Sequence, residues 1–322
     1  MGGFTFCCGD MGAMFDAKGS VTRAILDQVE ANPKVAYINT DGTGTGNRLA
    51  AISKKYPDRV FDVGIQEMNM VTAAAGMAKM GYIPFAQTFG PFLCVRALDQ
   101  IHNDVCYNDF PVRLIGTHAG VSSGYGPTHN TIIEFAVMNS LPNMTMVAPC
   151  DAGQAIKLIN ASIDYPGPIY IRIPRGEEPS VYPVDFEYDY EIGKAIEIKE
   201  GKDLTIIATG VGVYPSVKAA EALHEAGYDV GVIDMHTIKP IDVEAVLKAA
   251  KSGKIITVED HNINGGLGSI VADTLLANGV FAELKKIGIP DTFVDFGYPE
   301  ELYPFYGMDT TGITKSALEM LK

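Results

Sequence analysis

Basic residues are scarce in this sequence. Lys and Arg total 25 against 39 Asp and Glu, a formal net charge of −14. A surface of that sign repels phosphate backbones and anionic membranes, which argues against binding to either. An anionic substrate must then be held in a local basic pocket. Long apolar runs are missing as well: no stretch approaches the roughly 20 residues of a membrane span. The start, MGGFTFCCGDMGAMFDAKGS, lacks a basic head and a continuous apolar core, so no signal peptide is expected. Phe6 stands where a myristoylation signal needs Ser or Thr. Cysteines are few, odd in number (Cys7, Cys8, Cys94, Cys106, Cys150) and without a CxxC pair. They read as reduced thiols of a cytoplasmic protein, not as a disulfide frame or a structural zinc site. There is no P-loop, tandem repeat or low-complexity segment.

What is present is regular alternation. Strand-like KVAYIN, RVFDVGI, IPFAQTF, VRLIGTH, MTMVAPC and PIYIRIP are interleaved with helix-like SVTRAILDQVEAN, MNMVTAAAGMAKM and DAGQAIKLINASI. Ser20 is placed to cap the first helix. The second helix is apolar nearly all round and is expected to be deeply buried. Residues 177–191, rich in Pro, Tyr and acid, read as a linker. A second alternating block follows, from DLTIIATG to DTFVDFG. The length of 322 residues suits about two domains. The pattern predicts an α/β protein: two three-layer αβα domains over 1–185 and 190–322, with a mainly parallel sheet in the first and a smaller second domain. The Gly-rich stretches DGTGTGN, TGVGVYPS and NINGGLGS lack the dinucleotide spacing and read as turns.

Four features point to chemistry. Glu67 stands where a strand hands over to the apolar helix, and Asp62 is the only other ionisable residue from Val60 to Ala78. A helix-terminal acid is commonplace on an exposed helix. On an apolar helix it should be buried, which is costly without a partner, and such an acid can share a proton with a ligand's ring nitrogen. Phe89 and Phe92 flank Gly90-Pro91 and can face a flat ring, although core packing explains either one alone. His118 and His129 lie 11 residues apart in THAGVSSGYGPTHN, a loop after a strand, where open α/β sheets bind ligands. They suit proton transfer or hydrogen bonds to a sugar hydroxyl or phosphate. No carboxylate or Cys completes a metal set nearby, and no metal ligand is assigned to this chain. Arg175, in IPRG, and Arg96 are candidate phosphate forks.

In this order and spacing, DVGIQEMNM, TFGPF, THAG…GPTH and IPRG resemble the C-terminal half of transketolase, over roughly residues 17–322. The combination is specific; each motif alone is weak. The resemblance implies a pyrimidine-binding domain followed by the family's C-terminal domain, and thiamine diphosphate as cofactor. Glu67 would hydrogen-bond N1′ of the aminopyrimidine, favouring the tautomer that removes the proton from thiazolium C2. Phe92, and Phe89 beside it, would stack on the ring, and Asp41 would lie near the cofactor. His129 would face the reacting hydroxyls, with His118, Arg175 and Thr45 at the substrate phosphate. The family's other half grips the diphosphate and Mg²⁺ or Ca²⁺ through GDG followed by Asn. Neither CGDM nor TDGT supplies that motif. A separate N-terminal subunit is therefore the expected partner, in an α₂β₂ assembly acting on phosphorylated sugars.

Two positions depart from the family pattern. Tyr125 stands where an Asp is usual four residues before the second His, which puts donor specificity in question. Lys18 lies near a position that often carries a phosphate-binding Arg. His118 favours transketolase over the related 1-deoxyxylulose-5-phosphate synthase, which typically has Arg there. The alternatives are that synthase, a 2-oxo-acid dehydrogenase E1 β subunit, and a non-catalytic scaffold. His261, in the second domain, is expected to be structural.

Overall fold

The computed structural model describes residues 12–41, 47–182 and 188–322. Their strands are β1 (Met14–Asp16), β2 (Val35–Asn39), β3 (Val60–Asp62), β4 (Ile83–Phe89), β5 (Arg113–Thr117), β6 (Thr145–Val147) and β7 (Ile169–Arg172). There follow β8 (Glu177–Pro179), β9 (Ile196–Lys199), β10 (Leu204–Ala208), β11 (Val230–Asp234), β12 (Thr237–Lys239), β13 (Lys254–Asn262) and β14 (Glu283–Ile289). Seven of them form one sheet in the order β12-β6-β7-β5-β4-β2-β3, parallel except for β12. A second sheet runs β14-β13-β10-β11-β9, parallel except for β9.

Both faces of the first sheet are covered, so central strands such as β2 and β5 are buried along their whole length. Helix α1 (Ala17–Ala31) packs against the helix Ala152–Ser162 on one face. Helix α2 (Asn47–Lys55) lies beside β3. Helix α3 (Glu67–Lys79) and the segment 92–106 cover the other face. The second sheet is flanked by Val213–Glu225 with Thr310–Leu321, and by Val243–Ala249 with Leu267–Ala277. The αβα class expected from the alternation is what forms. One apolar cluster continues from Met70 and Leu114 to Leu267 and Val271, joining the two layered units. No described helix is long and apolar enough to cross a membrane.

Three local expectations are corrected. The first helix is capped by Asp16, not Ser20: its carboxylate accepts the Gly19 amide at 3.0 Å, and a side chain at 19 would collide with it. Helix α3 is buried on one side only, with Met68, Asn69, Thr72 and Gly76 exposed on the other. The stretch 177–191 is not all linker. Glu177–Pro179 pairs antiparallel with β1, and the Val181 and Tyr182 amides donate to the buried Asp151. The division expected between 185 and 190 adjoins residues 183–187, which lie outside the described residues. Cys94, Cys106 and Cys150 are free and buried, while Cys7 and Cys8 fall outside the described residues.

Candidate functional site

Glu67 is the first residue of α3, and it is 2% exposed. It sits at the sheet's carboxyl edge because β3 ends at Asp62 and a short turn (Gly64, φ +75°) feeds directly into the helix. Its carboxylate accepts from Arg96 Nη1 at 2.7 Å, and Arg96 is 43% exposed. Arg96 comes from a turn of π helix, Phe92–Arg96, closed by the Ala97 amide donating to the Phe92 carbonyl at 3.3 Å. That turn brings the guanidinium 4.5 Å from the centre of the Phe92 ring. A planar, hydrogen-bond-donating group thus meets a buried acid and an aromatic face at once.

The rings continue from there. Phe89, at the end of β4, stacks on Phe92 with centroids 5.8 Å apart. His118 lies 3.9 Å from Phe89, and Tyr125 stacks on His118 at 5.6 Å. Arg175 covers Tyr125 at 4.3 Å. His129 stands edge-on to Phe92 at 5.3 Å and to Tyr125 at 6.0 Å. Lys18 approaches from α1, near enough to lower the pKa of His118.

Electrostatics follow from this packing. Burial, then the charges of Lys18, Arg175 and His129, push His118 down to about 3, so its imidazole is neutral. Thr117 donates its hydroxyl to the Thr88 carbonyl at 3.2 Å and so accepts from His118 Nδ1 at 3.0 Å. Nε2 is left as an acceptor. Lys18 is lowered by burial and by Arg175, with Asp16 acting the other way. Two cations and a neutral imidazole converge here, an arrangement that suits a phosphate or a sugar oxygen.

Glu67, Phe89, Phe92, Arg96, His118, Tyr125, His129 and Arg175 are therefore linked by successive contacts into one cluster, with Lys18 beside it. Asp41 is exposed just past β2, and no described contact ties it to these rings. Thr45 lies outside the described residues. Among the described residues, no three His, Cys, Asp or Glu side chains form a metal-holding group.

Sequence reasoning missed what stands behind the loop. Arg172, three residues before Arg175, is buried and donates to Glu134 Oε1 at 2.5 Å and to the Asp260 carbonyl. Partners distant in sequence leave no local signal. His261 accepts the Phe135 amide at 3.1 Å, and burial holds its pKa down to about 3.

A three-layer α/β fold whose strand ends carry a buried acid, an aromatic pair and two histidines is a frame suited to a flat, ring-bearing ligand. The chain belongs to the transketolase family: residues 14–180 match the transketolase pyrimidine-binding domain and residues 193–313 the transketolase C-terminal domain. It is 39% identical over 311 residues to one of the subunits of the apulose-4-phosphate transketolase of Phocaeicola vulgatus, across 96% of this chain and 98% of that one. It is 37% identical over 301 residues to the 1-deoxy-D-xylulose-5-phosphate synthase of Trichormus variabilis, covering 92% of this chain but only 47% of the synthase. A solved structure described as a split gene transketolase, inactive beta4 tetramer, superposes with a TM-score of 0.87 at 33% identity, over 95% of this chain and 98% of that one. Membership of this family implies thiamine diphosphate as cofactor.

Proposed function

We propose that this chain is the C-terminal subunit of a split, thiamine-diphosphate-dependent transketolase, acting on phosphorylated sugars in the cytoplasm with an N-terminal subunit that completes its site. The reaction is transfer of a two-carbon ketol unit from a ketose donor to an aldose acceptor. Residues 1–185 form the pyrimidine-binding domain and 190–322 the C-terminal domain in this reading. The observation that carries it is Glu67: an acid 2% exposed at a helix head, beside an aromatic face, with one oxygen held by a half-exposed guanidinium. An aminopyrimidine needs that pairing of acid and ring face, and the planar guanidinium of Arg96 lying against both supports this reading.

When bound, thiamine diphosphate supplies the electron sink for cleaving the bond beside the donor carbonyl. Glu67 would hold a proton at a pyrimidine nitrogen, its hydrogen bond strengthened by the dry surroundings. Phe92, with Phe89 behind it, would orient the pyrimidine, and Asp41 would lie beside the cofactor. His118 and His129 would hydrogen-bond the sugar oxygens. Lys18, Arg175, Arg96 and Thr45 would hold the phosphate, and Tyr125 would shape donor choice. The diphosphate and its Mg²⁺ or Ca²⁺ would be gripped by the partner's GDG…N, in an α₂β₂ assembly. A relative named for a sugar phosphate and a similar structure described as an inactive tetramer of β chains both support this division of labour.

Co-expression with a chain carrying GDG…N should give thiamine-dependent two-carbon transfer that neither chain shows alone. Tight cofactor binding by this chain without a partner would contradict the split site. Formation of 1-deoxyxylulose 5-phosphate instead would transfer the reading to the synthase.

A further inference from the structure

The loop bearing His118, Tyr125 and His129 runs from 118 to 131 outside any helix or strand of the sheet. Its start is conformationally costly. His118 has φ +60° and Gly120 has φ +62°. A non-glycine residue such as His118 is strained in this left-handed region and persists there only where its surroundings over-determine it.

Those surroundings come from the other half of the chain. Asp260, on β13 of the second sheet, is buried, and its two carboxylate oxygens accept the Val121 amide at 3.1 and 3.2 Å. A Cβ added to Gly120 would lie 1.8 Å from an Asp260 oxygen, so the carboxylate fills the space that a side chain at 120 would take. Tyr303 donates its hydroxyl to the same carboxylate at 3.2 Å. The backbone of Asp260 is held in turn by Arg172, whose other donor goes to Glu134. The loop's far end is tied back by the Gly120 amide donating to the Thr131 carbonyl at 2.7 Å. A buried carboxylate is expensive to keep, and this one spends its acceptors on a single amide of the histidine loop and one tyrosine.

We propose that Asp260 is a positioning residue: reaching across from the second α/β unit, it sets the backbone of the loop at Gly120–Val121 and thereby the placement of His118 against Phe89. The catalytic part of this proposal rests on the transketolase reading; the conformational part does not.

The experiment therefore has two arms. In the full-length chain, Asp260→Ala should raise hydrogen exchange of the peptide spanning 118–126 by about tenfold or more, leaving β5 and β10 protected. In the assembled enzyme the same variant should lower kcat by roughly tenfold or more while thiamine diphosphate affinity, which depends on Glu67 and Phe92, changes less than about twofold. Gly120→Ala should be nearly as damaging alone. Combined with Asp260→Ala it should cost about tenfold less than the product of the two, because the collision is gone. Asp260→Asn keeps an acceptor and should fall between. If Asp260→Ala does not fold, Asp260→Asn and Tyr303→Phe carry the test through the exchange measurement. Unchanged exchange in the loop, an equal fall in kcat and cofactor affinity, or strict additivity with Gly120→Ala would each overturn the proposal. If the wild-type assembly transfers no ketol unit, the functional reading fails, and loop exchange still decides the role of Asp260.

Discussion

Arg96 and Glu67 are joined Nη1 to Oε2 at 2.7 Å, with the acid buried and the guanidinium lying over Phe92. The pair satisfies a carboxylate that would otherwise be alone at the head of an apolar helix. Glu67→Gln keeps the shape and an acceptor oxygen but removes the charge. In the assembled enzyme, turnover should drop by more than about 100-fold, the lower end of what a positioned proton-transfer group contributes. Circular dichroism and the melting temperature should stay close to wild type. A variant retaining half its turnover would remove Glu67 from the chemistry.

His118 has a pH signature. Unfolded, its imidazole takes up a proton near pH 6.5; folded, only near 3, because of burial and then the Lys18, Arg175 and His129 charges. Between those values the unfolded chain binds the extra proton. The stability from this residue is complete above about 6.5 and is lost as pH falls toward 3. His236 (about 4) and His261 (about 3) act in the same direction. Asp234 and Glu259, each pushed up to about 7 by burial, act oppositely, and their contribution fades as pH rises toward 7. His118→Asn should shrink this residue's contribution to the stability difference between pH 7.5 and 5 by roughly 2 kcal/mol, a few degrees in melting temperature. In the wild type, NMR of the imidazole Cε1 protons should show a ring that does not titrate between pH 5 and 8.

Tyr125 tests specificity. It is 46% exposed, stacked on His118 and covered by Arg175. Tyr125→Asp would put a carboxylate beside Arg175 and uncover one face of His118. Relative kcat/KM across a panel of ketose donors should change by about fivefold or more, since one hydrogen bond to a hydroxyl is worth about 1 kcal/mol. Stability should change little. Identical donor ranking would end the specificity role.

Arg113 separates stability from function. It is fully buried, has no acid partner among the described residues, and donates to the carbonyls of Ser162, Tyr165 and Gly167. Arg113→Met would strand those acceptors and should cost about 3–5 kcal/mol. Urea unfolding would measure it, and cofactor affinity of the folded enzyme should be unaltered. A loss below about 1 kcal/mol would mean that water replaces the guanidinium at those carbonyls.

Much of the site was legible in the sequence. Glu67, Phe89, Phe92, His118 and His129 stood out because strand-to-helix junctions and post-strand loops are local patterns. Lys18 and Arg175, 157 positions apart in sequence, come near enough to His118 to lower its pKa. The role of Arg172 was not legible. One Arg at a strand end looks like another until Glu134 and Asp260 are placed around it.

The sequence by itself determined the layered α/β class, the alternation of the central strands of the first sheet with helices, and the buried acid at the start of α3. Periodicity and turn chemistry act over a few residues, and a linear chain records them. Only the tertiary structure decided that β12 crosses to the first sheet, that Arg96 answers Glu67, and that Asp260 fills the space beside Gly120. Those relations depend on the packing of surfaces remote in sequence, where distance and desolvation select the partners and no local pattern announces them.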